Sequence, residues 1–190
     1  MSLEHLKKSL EGTPIVKKGE YSYLVNPLTD GIPEIKPELL EEVIHKMQEL
    51  IEEKCGQIDK IVTIESMGIP LATALSLNLN IPFTIIRKRK YDLSDEVSVE
   101  QVTGYSKSKL YINGLKKGDK IVIVDDVLST GGTLRAIIAA LKQIGVIIEC
   151  ILIAVDKGNA SREIMDKFNI SITALVNVEV VDGKVTTKIT

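Results

Sequence analysis

Beyond residue 37 the apolar positions switch repeatedly between two periods. Leu39, Leu40, Val43, Ile44, Met47, Leu50 and Ile51 form one stripe of a helix over 38–54. A short β-branched run at 60–65 predicts a strand, and 69–79 returns to a helical pattern. Strands follow at 82–87, 120–124 and 146–155, with helices at 134–144 and 161–168. Two closing strands, 172–180 and 184–189, turn at Asp182-Gly183. The first 37 residues read differently. Leu3, Leu6 and Leu10 mark a short amphipathic helix that stops at Gly12-Thr13-Pro14, and an irregular stretch broken by Pro27, Gly31, Pro33 and Pro37 follows.

Strands that alternate with helices, several of them unbroken Ile/Val runs, predict an α/β fold. Its core would be a parallel sheet flanked by helices. One domain is expected overall, with 1–37 as a small cap and 38–190 as the core. Ligands in such sheets bind beyond the carboxyl ends of the strands, so the segments just after each strand are the ones to inspect.

Composition changes this picture little. The 190 residues, 44% apolar and 26% charged, suit one globular domain. A net charge of −2 gives no ground for a nucleic-acid or membrane partner, so any anion binding must come from local placement. No secretory or membrane-spanning run is present: 143–155 is too short and is interrupted by Glu149. A reducing cytoplasm is the expected setting. Cys55 and Cys150 lie far apart without metal-ligand spacing and are read as two packing residues. His5 and His45 fall in helical patterns and are expected at the surface.

The chemistry concentrates after the strand 121–124, in Asp125-Asp126-Val127-Leu128-Ser129-Thr130-Gly131-Gly132-Thr133. Small and Gly-containing residues let backbone N–H groups approach an anion, and the segment opens a helix whose N-terminus favours negative charge. Ser129, Thr130 and Thr133 add hydroxyl donors. Asp125 and Asp126 would repel a phosphate beside them. Placed a sugar's width away, they suit a vicinal diol or a hydrated Mg²⁺. Such a cradle with two carboxylates describes a ribose 5-phosphate site. It is not a P-loop, since no Lys follows the glycines at the required place.

This thirteen-residue run, 121–133, resembles the phosphoribosyl pyrophosphate (PRPP) motif of type I phosphoribosyltransferases. The resemblance implies that family's fold, with residues 1–37 as a hood over the base. It implies Asp125 and Asp126 as the catalytic pair, and Leu128, Ser129, Thr130, Gly131, Gly132 and Thr133 as binders of the 5′-phosphate. Ser66, Met67 and Gly68, after the first core strand, match the family's pyrophosphate loop. Arg87 and Lys88, with Lys90, match its basic pair, which sometimes reaches a neighbouring subunit. Gly104, Tyr105 and Ser106 fall in a polar stretch, 92–109, whose length and weak core pattern suit a functional lid or a solvated hairpin, and where the family has a flexible loop that closes over the substrates. The acid that some adenine-specific relatives carry before this loop is missing here. Val25 and Asn26 in the cap, with Asp156 and Lys157 after the strand 146–155, match the base site. There Lys157 suits O6 of a 6-oxopurine.

Taken along the chain, the pattern resembles the archaeal-type hypoxanthine phosphoribosyltransferases, relatives of the adenine and xanthine enzymes. The implied reaction is Mg²⁺-dependent transfer of the 5-phosphoribosyl group from PRPP to hypoxanthine or guanine, in purine salvage. The metal would be held mainly through PRPP and by Asp125 and Asp126 through water, in a homodimer. The rival readings are an adenine or xanthine enzyme, or a PRPP- or nucleotide-sensing regulator on the same fold.

Overall fold

The computed structural model describes residues 3–11, 13–18, 21–102, 107–181 and 184–189. The centre is a six-stranded sheet. Its strands are β3 (Lys60–Ile64), β4 (Phe83–Ile86), β7 (Lys120–Leu128), β8 (Ile147–Asp156), β9 (Ile172–Val181) and β10 (Lys184–Ile189). Their spatial order is β10-β9-β8-β7-β3-β4. All neighbours run parallel except β9 and β10, which form an antiparallel edge hairpin. The parallel sheet expected from the sequence is therefore closed by one antiparallel strand, as the short connection between the two strands demands.

In β7, Val122 and Val124 face one core and Ile121 and Ile123 the other, which explains the unbroken apolar run. The first core is covered by α3 (Pro37–Lys54) and α4 (Gly68–Leu79), the second by α5 (Gly132–Ile144) and α6 (Ala160–Phe168). Pro37 at the first turn of α3 suits its fixed φ and missing N–H.

The N-terminal stretch is more regular than expected. It holds α1 (Glu4–Leu10), an antiparallel pair β1 (Ile15–Lys18) and β2 (Tyr21–Leu24), and one turn of helix, α2 (Pro27–Asp30). Leu3, Leu6, Leu10, Leu24 and Leu28 enter the first core beside α3. Glu42 of α3 reaches up to α1, where its carboxylate accepts from the N–H groups of His5 (3.2 Å) and Leu6 (2.8 Å). Two otherwise unpaired donors of the helix start are thereby satisfied. His5 and His45 are exposed, as expected.

The polar stretch 92–109 is also more ordered than its composition suggested. Strands β5 (Val97–Val102) and β6 (Lys107–Ile112) pair as an antiparallel hairpin. Val99, Leu110 and Ile112 are buried in the second core, and Tyr111 exchanges backbone hydrogen bonds with Arg87 (3.0 and 2.7 Å). The base of the hairpin is thus an extension of the edge of β4. The tip, with Gly104, Tyr105 and Ser106, lies outside the described residues.

Cys55 and Cys150 correct another expectation. They are joined in a disulfide, with Cα atoms 5.9 Å apart and a sequence separation of 95. Cys55 follows the last turn of α3 and Cys150 lies within β8, and packing of α3 on the sheet brings them together. Sequence distance carries no information about that contact. Closing so long a loop is expected to stabilise the chain by about 2–4 kcal/mol. Reduction, or Cys55→Ala with Cys150→Ala, should therefore lower the denaturant midpoint. A midpoint unmoved by reductant would refute this.

Candidate active site

The chain leaves β3 toward β4 on one side and leaves β7 toward β8 on the other. The carboxyl ends of β3 and β7 therefore flank a switch point, where an α/β sheet opens a crevice. The segment after β3 and the aspartates of β7 converge there. A Cβ on Gly68 would collide with Thr63 Oγ1, lie 2.7 Å from Asp125 Oδ1 and 3.2 Å from the Val124 carbonyl oxygen. Gly68 is required by this close approach, not by unusual backbone angles. The Glu65–Ser66 peptide that leads into it is cis.

Asp125 and Asp126 belong to the strand and not to the loop. Pairing with β8 continues to Leu128 opposite Asp156, so β7 is four residues longer than its apolar run. Asp126 is 6% exposed. Burial pushes its carboxyl up to about 6, and a hydrogen bond from Asp125 partly offsets the rise. Burial first, and then the charge of Asp126, hold the Asp125 carboxyl well above the usual carboxylate range. Two acids this close in a partly dry site share a proton.

Beyond β7 the chain turns through Ser129 and Thr130 into α5. Gly131 caps the helix with φ 72° and ψ 2°, and a Cβ there would lie 2.9 Å from both Arg135 Nη1 and Ile164 Cδ1. The first turn of α5 holds no acid, so its N-terminus is open to an anion. Leu128 departs from the expected set. Its side chain is buried in the core and its carbonyl accepts from the Lys157 N–H (2.7 Å), so it anchors the loop.

At the end of β3 an acid was missed by the sequence reading. Glu65 accepts from Arg87 Nε (3.0 Å) and from the Lys88 N–H (3.1 Å). The Lys88 N–H, and then Arg87, hold its carboxyl below the usual range. Glu65 thereby ties the segment Ser66-Met67-Gly68 to the basic pair. Ser66 and Lys88 are exposed, and Met67 reaches toward Gly31 of the N-terminal segment. Lys90 is instead paired with Asp92 on an exposed loop, away from Glu65.

At the other wall Lys157 lies under β2. Its Nζ is 5.4 Å from the Tyr23 ring centroid and 3.5 Å from the Leu24 carbonyl oxygen. Burial lowers its pKa, against the opposing pull of Asp30 and Asp126. Asp30 and Tyr23 were not singled out in the sequence. Asp30 accepts from the Tyr23 hydroxyl (2.7 Å) and from the Asn26 N–H (3.0 Å). Asn26, expected to face the base, has its side chain engaged elsewhere. It is fully buried, accepts from Leu28 and Thr29 N–H (3.1 Å each), and donates to Thr29 Oγ1 (2.7 Å). It caps α2 and holds its neighbour Val25 in place. The Asn26 N–H donates in turn to Asp30, one position beyond N3, where a capping box would carry its acid. Asp156 is likewise a poor base contact. It is 1% exposed, and burial raises its pKa beside Ser161 of α6.

The crevice thus brings together the N-terminus of α5, the segment Ser66-Met67-Gly68 with Arg87 and Lys88, the two adjacent carboxylates of β7, and Lys157 under the N-terminal segment. Among the described residues no group of three or more His, Cys, Asp or Glu side chains could hold a metal by itself.

Residues 34–185 match the model of the phosphoribosyl transferase domain. The chain is 49% identical over 183 residues to a hypoxanthine/guanine phosphoribosyltransferase of Methanothermobacter thermautotrophicus, covering 96% of this chain and 93% of the relative. It is 51% identical over 183 residues to one from Methanocaldococcus infernus, covering 96% and 99%. Among solved structures, adenine phosphoribosyltransferase from Thermoanaerobacter pseudethanolicus superposes with TM-score 0.74 at 21% identity, covering 93% of this chain and 99% of that one. At that identity the likeness is one of fold.

Proposed function

The chain belongs to the phosphoribosyl transferase domain family, and on that premise we propose that it joins hypoxanthine or guanine to PRPP, releasing pyrophosphate. N9 of the base attacks C1′ of the ribose as the bond from C1′ to the pyrophosphate oxygen breaks, and the imidazole N–H proton of the base is released to solvent. Relatives about half identical over nearly the whole chain, all named for this reaction, support the choice of base. The approach of Gly68 to Asp125 carries the reading of the site, because it sets a pyrophosphate segment against the ribose-binding acids.

In this reading Ser129 to Thr133 hold the 5′-phosphate. Asp125 and Asp126 accept from the ribose hydroxyls and face the positive charge that develops at C1′. Ser66, Met67, Gly68, Arg87 and Lys88 receive the pyrophosphate, and Lys157 faces O6 of the base beneath the hood formed by residues 1–37. Asp125 and Asp126 supply two carboxylates, which fits a Mg²⁺ carried mostly by substrate oxygens. When bound, the ion would offset charge on the departing pyrophosphate. A homodimer is part of the proposal. Tyr91 and Leu93, 43% and 59% exposed beside the basic pair, are the apolar surface a second copy would cover.

The test is pyrophosphate release from PRPP and Mg²⁺ with hypoxanthine, guanine, xanthine, adenine and orotate in turn. Turnover with hypoxanthine or guanine supports the proposal. Turnover with adenine or xanthine alone replaces the base. PRPP binding without turnover on any base favours a sensor.

A further inference from the structure

Arg135 occupies the first turn of α5, where a cation opposes the helix dipole. Its guanidinium does not extend into solvent. Nη1 donates to the Thr130 carbonyl (2.6 Å) and Nη2 to Glu163 of α6 (2.6 Å). The loop between them packs on α6 as well: a Cβ on Gly131 would lie 2.9 Å from Ile164 Cδ1 and 3.1 Å from Ala160 Cβ.

We propose that Arg135 is a positioning residue that sets the orientation of the Thr130–Gly131 peptide and so keeps the phosphate cradle competent. The peptide is planar and trans, so its C=O and N–H point in opposite directions. With the Thr130 oxygen held on Arg135, the Gly131 N–H is aimed away from α6, toward the open side of the loop. Gly131 has φ 72°, and turning that peptide over would carry it to negative φ, which glycine adopts as readily. The turned peptide would present a carbonyl oxygen to the phosphate. Arg135 therefore selects between two accessible backbone states, only one of which binds an anion. Glu163 restrains the guanidinium but is a lesser element, because its side chain is 70% exposed.

The inference rests on the phosphoribosyl transfer reading, but binding measurements test it separately. Arg135→Met keeps the aliphatic stem and removes the donors; Arg135→Lys restores one donor. Arg135→Met is expected to raise the Kd for ribose 5-phosphate and the KM for PRPP about tenfold, by reducing the competent fraction. The kcat at saturating PRPP should stay within about twofold, as for an interaction that acts on binding alone. Affinity for inorganic pyrophosphate should not change. Arg135→Lys should recover part of the loss, and Glu163→Gln should cost less than about threefold. Native affinity for ribose 5-phosphate in a folded Arg135→Met protein overturns the proposal, as does an equal loss for ribose 5-phosphate and pyrophosphate. Failure of the unaltered protein to bind ribose 5-phosphate overturns both this and the cradle. If the unaltered protein turns over no base yet Arg135→Met still loses ribose 5-phosphate alone, the positioning role stands and the transfer reading falls.

Discussion

Asp126→Asn is expected to melt at a higher temperature than the unaltered protein and to make nucleotide at least about a hundredfold more slowly. The two effects have one cause. Burial raises the Asp126 carboxyl from 3.8 to about 6, so its ionised form is disfavoured in the folded chain by about 2–3 kcal/mol. The sign follows from proton binding. Between about pH 4 and 6 the folded protein holds a proton that the unfolded chain has lost, so stability falls as pH rises through that window. Above it the destabilisation is complete, and a neutral asparagine relieves it. At pH 7.5 the gain should be several degrees, since about 1 kcal/mol moves a domain of this size by about 2–4 °C. The same change removes a negative charge that faces C1′ in the proposed reaction, a loss on the order of 10²–10³ in kcat. With Asp126 intact, kcat/KM should fall on the acid side with an apparent midpoint near 6, as the coupled pair takes up a second proton. Thermal melting and initial rates across pH 5–8 check both halves. An Asp126→Asn protein that is less stable at pH 7.5, or that keeps its rate, would contradict this account of the pair.

Gly68→Ala is expected to be the most damaging single-methyl change in the cleft. The added carbon meets Thr63, Asp125 and the Val124 carbonyl. All three belong to the central strands β3 and β7, and none is the yielding end of a long side chain. Overpacking of this kind costs about 1–3 kcal/mol. A shift of about 1 Å at Asp125 would cost on the order of a hundredfold in kcat/KM. Gly56→Ala is the control, because its new carbon would meet only the mobile carboxylate end of Glu149. Rates and denaturant midpoints of the two proteins should separate clearly. Equal behaviour would mean that β3 and β7 tolerate displacement at the switch point.

The cradle was legible because its chemistry lies on consecutive residues, 125–133, and because the strand before it is an unbroken apolar run. What the sequence did not disclose depends on contacts across the fold. Asp125 and Asp126 read as loop residues because acids are rare in strands, yet pairing with β8 extends β7 through them. A hairpin was one reading of 92–109, but the bounds and the buried face of β5 and β6 were not placed, because the apolar positions Val97, Val99, Leu110 and Ile112 are interleaved with Ser, Glu, Lys and Tyr. Only one face is covered, so the pattern is half polar. Glu65 was hidden at the end of a strand, where its partner Arg87 lies 22 residues away. Asn26 was drawn into the base site by resemblance, while its buried amide shows a local capping role.

The disulfide has a consequence for a chain that has been cut. The covalent ring from Cys55 to Cys150 encloses Glu65 to Gly68, the basic pair and the whole of 125–133. Lys88, Arg89 and Lys90 are exposed within that ring and present an open substrate to trypsin. A nick there yields two polypeptides that remain one molecule, migrating together until a reductant parts them.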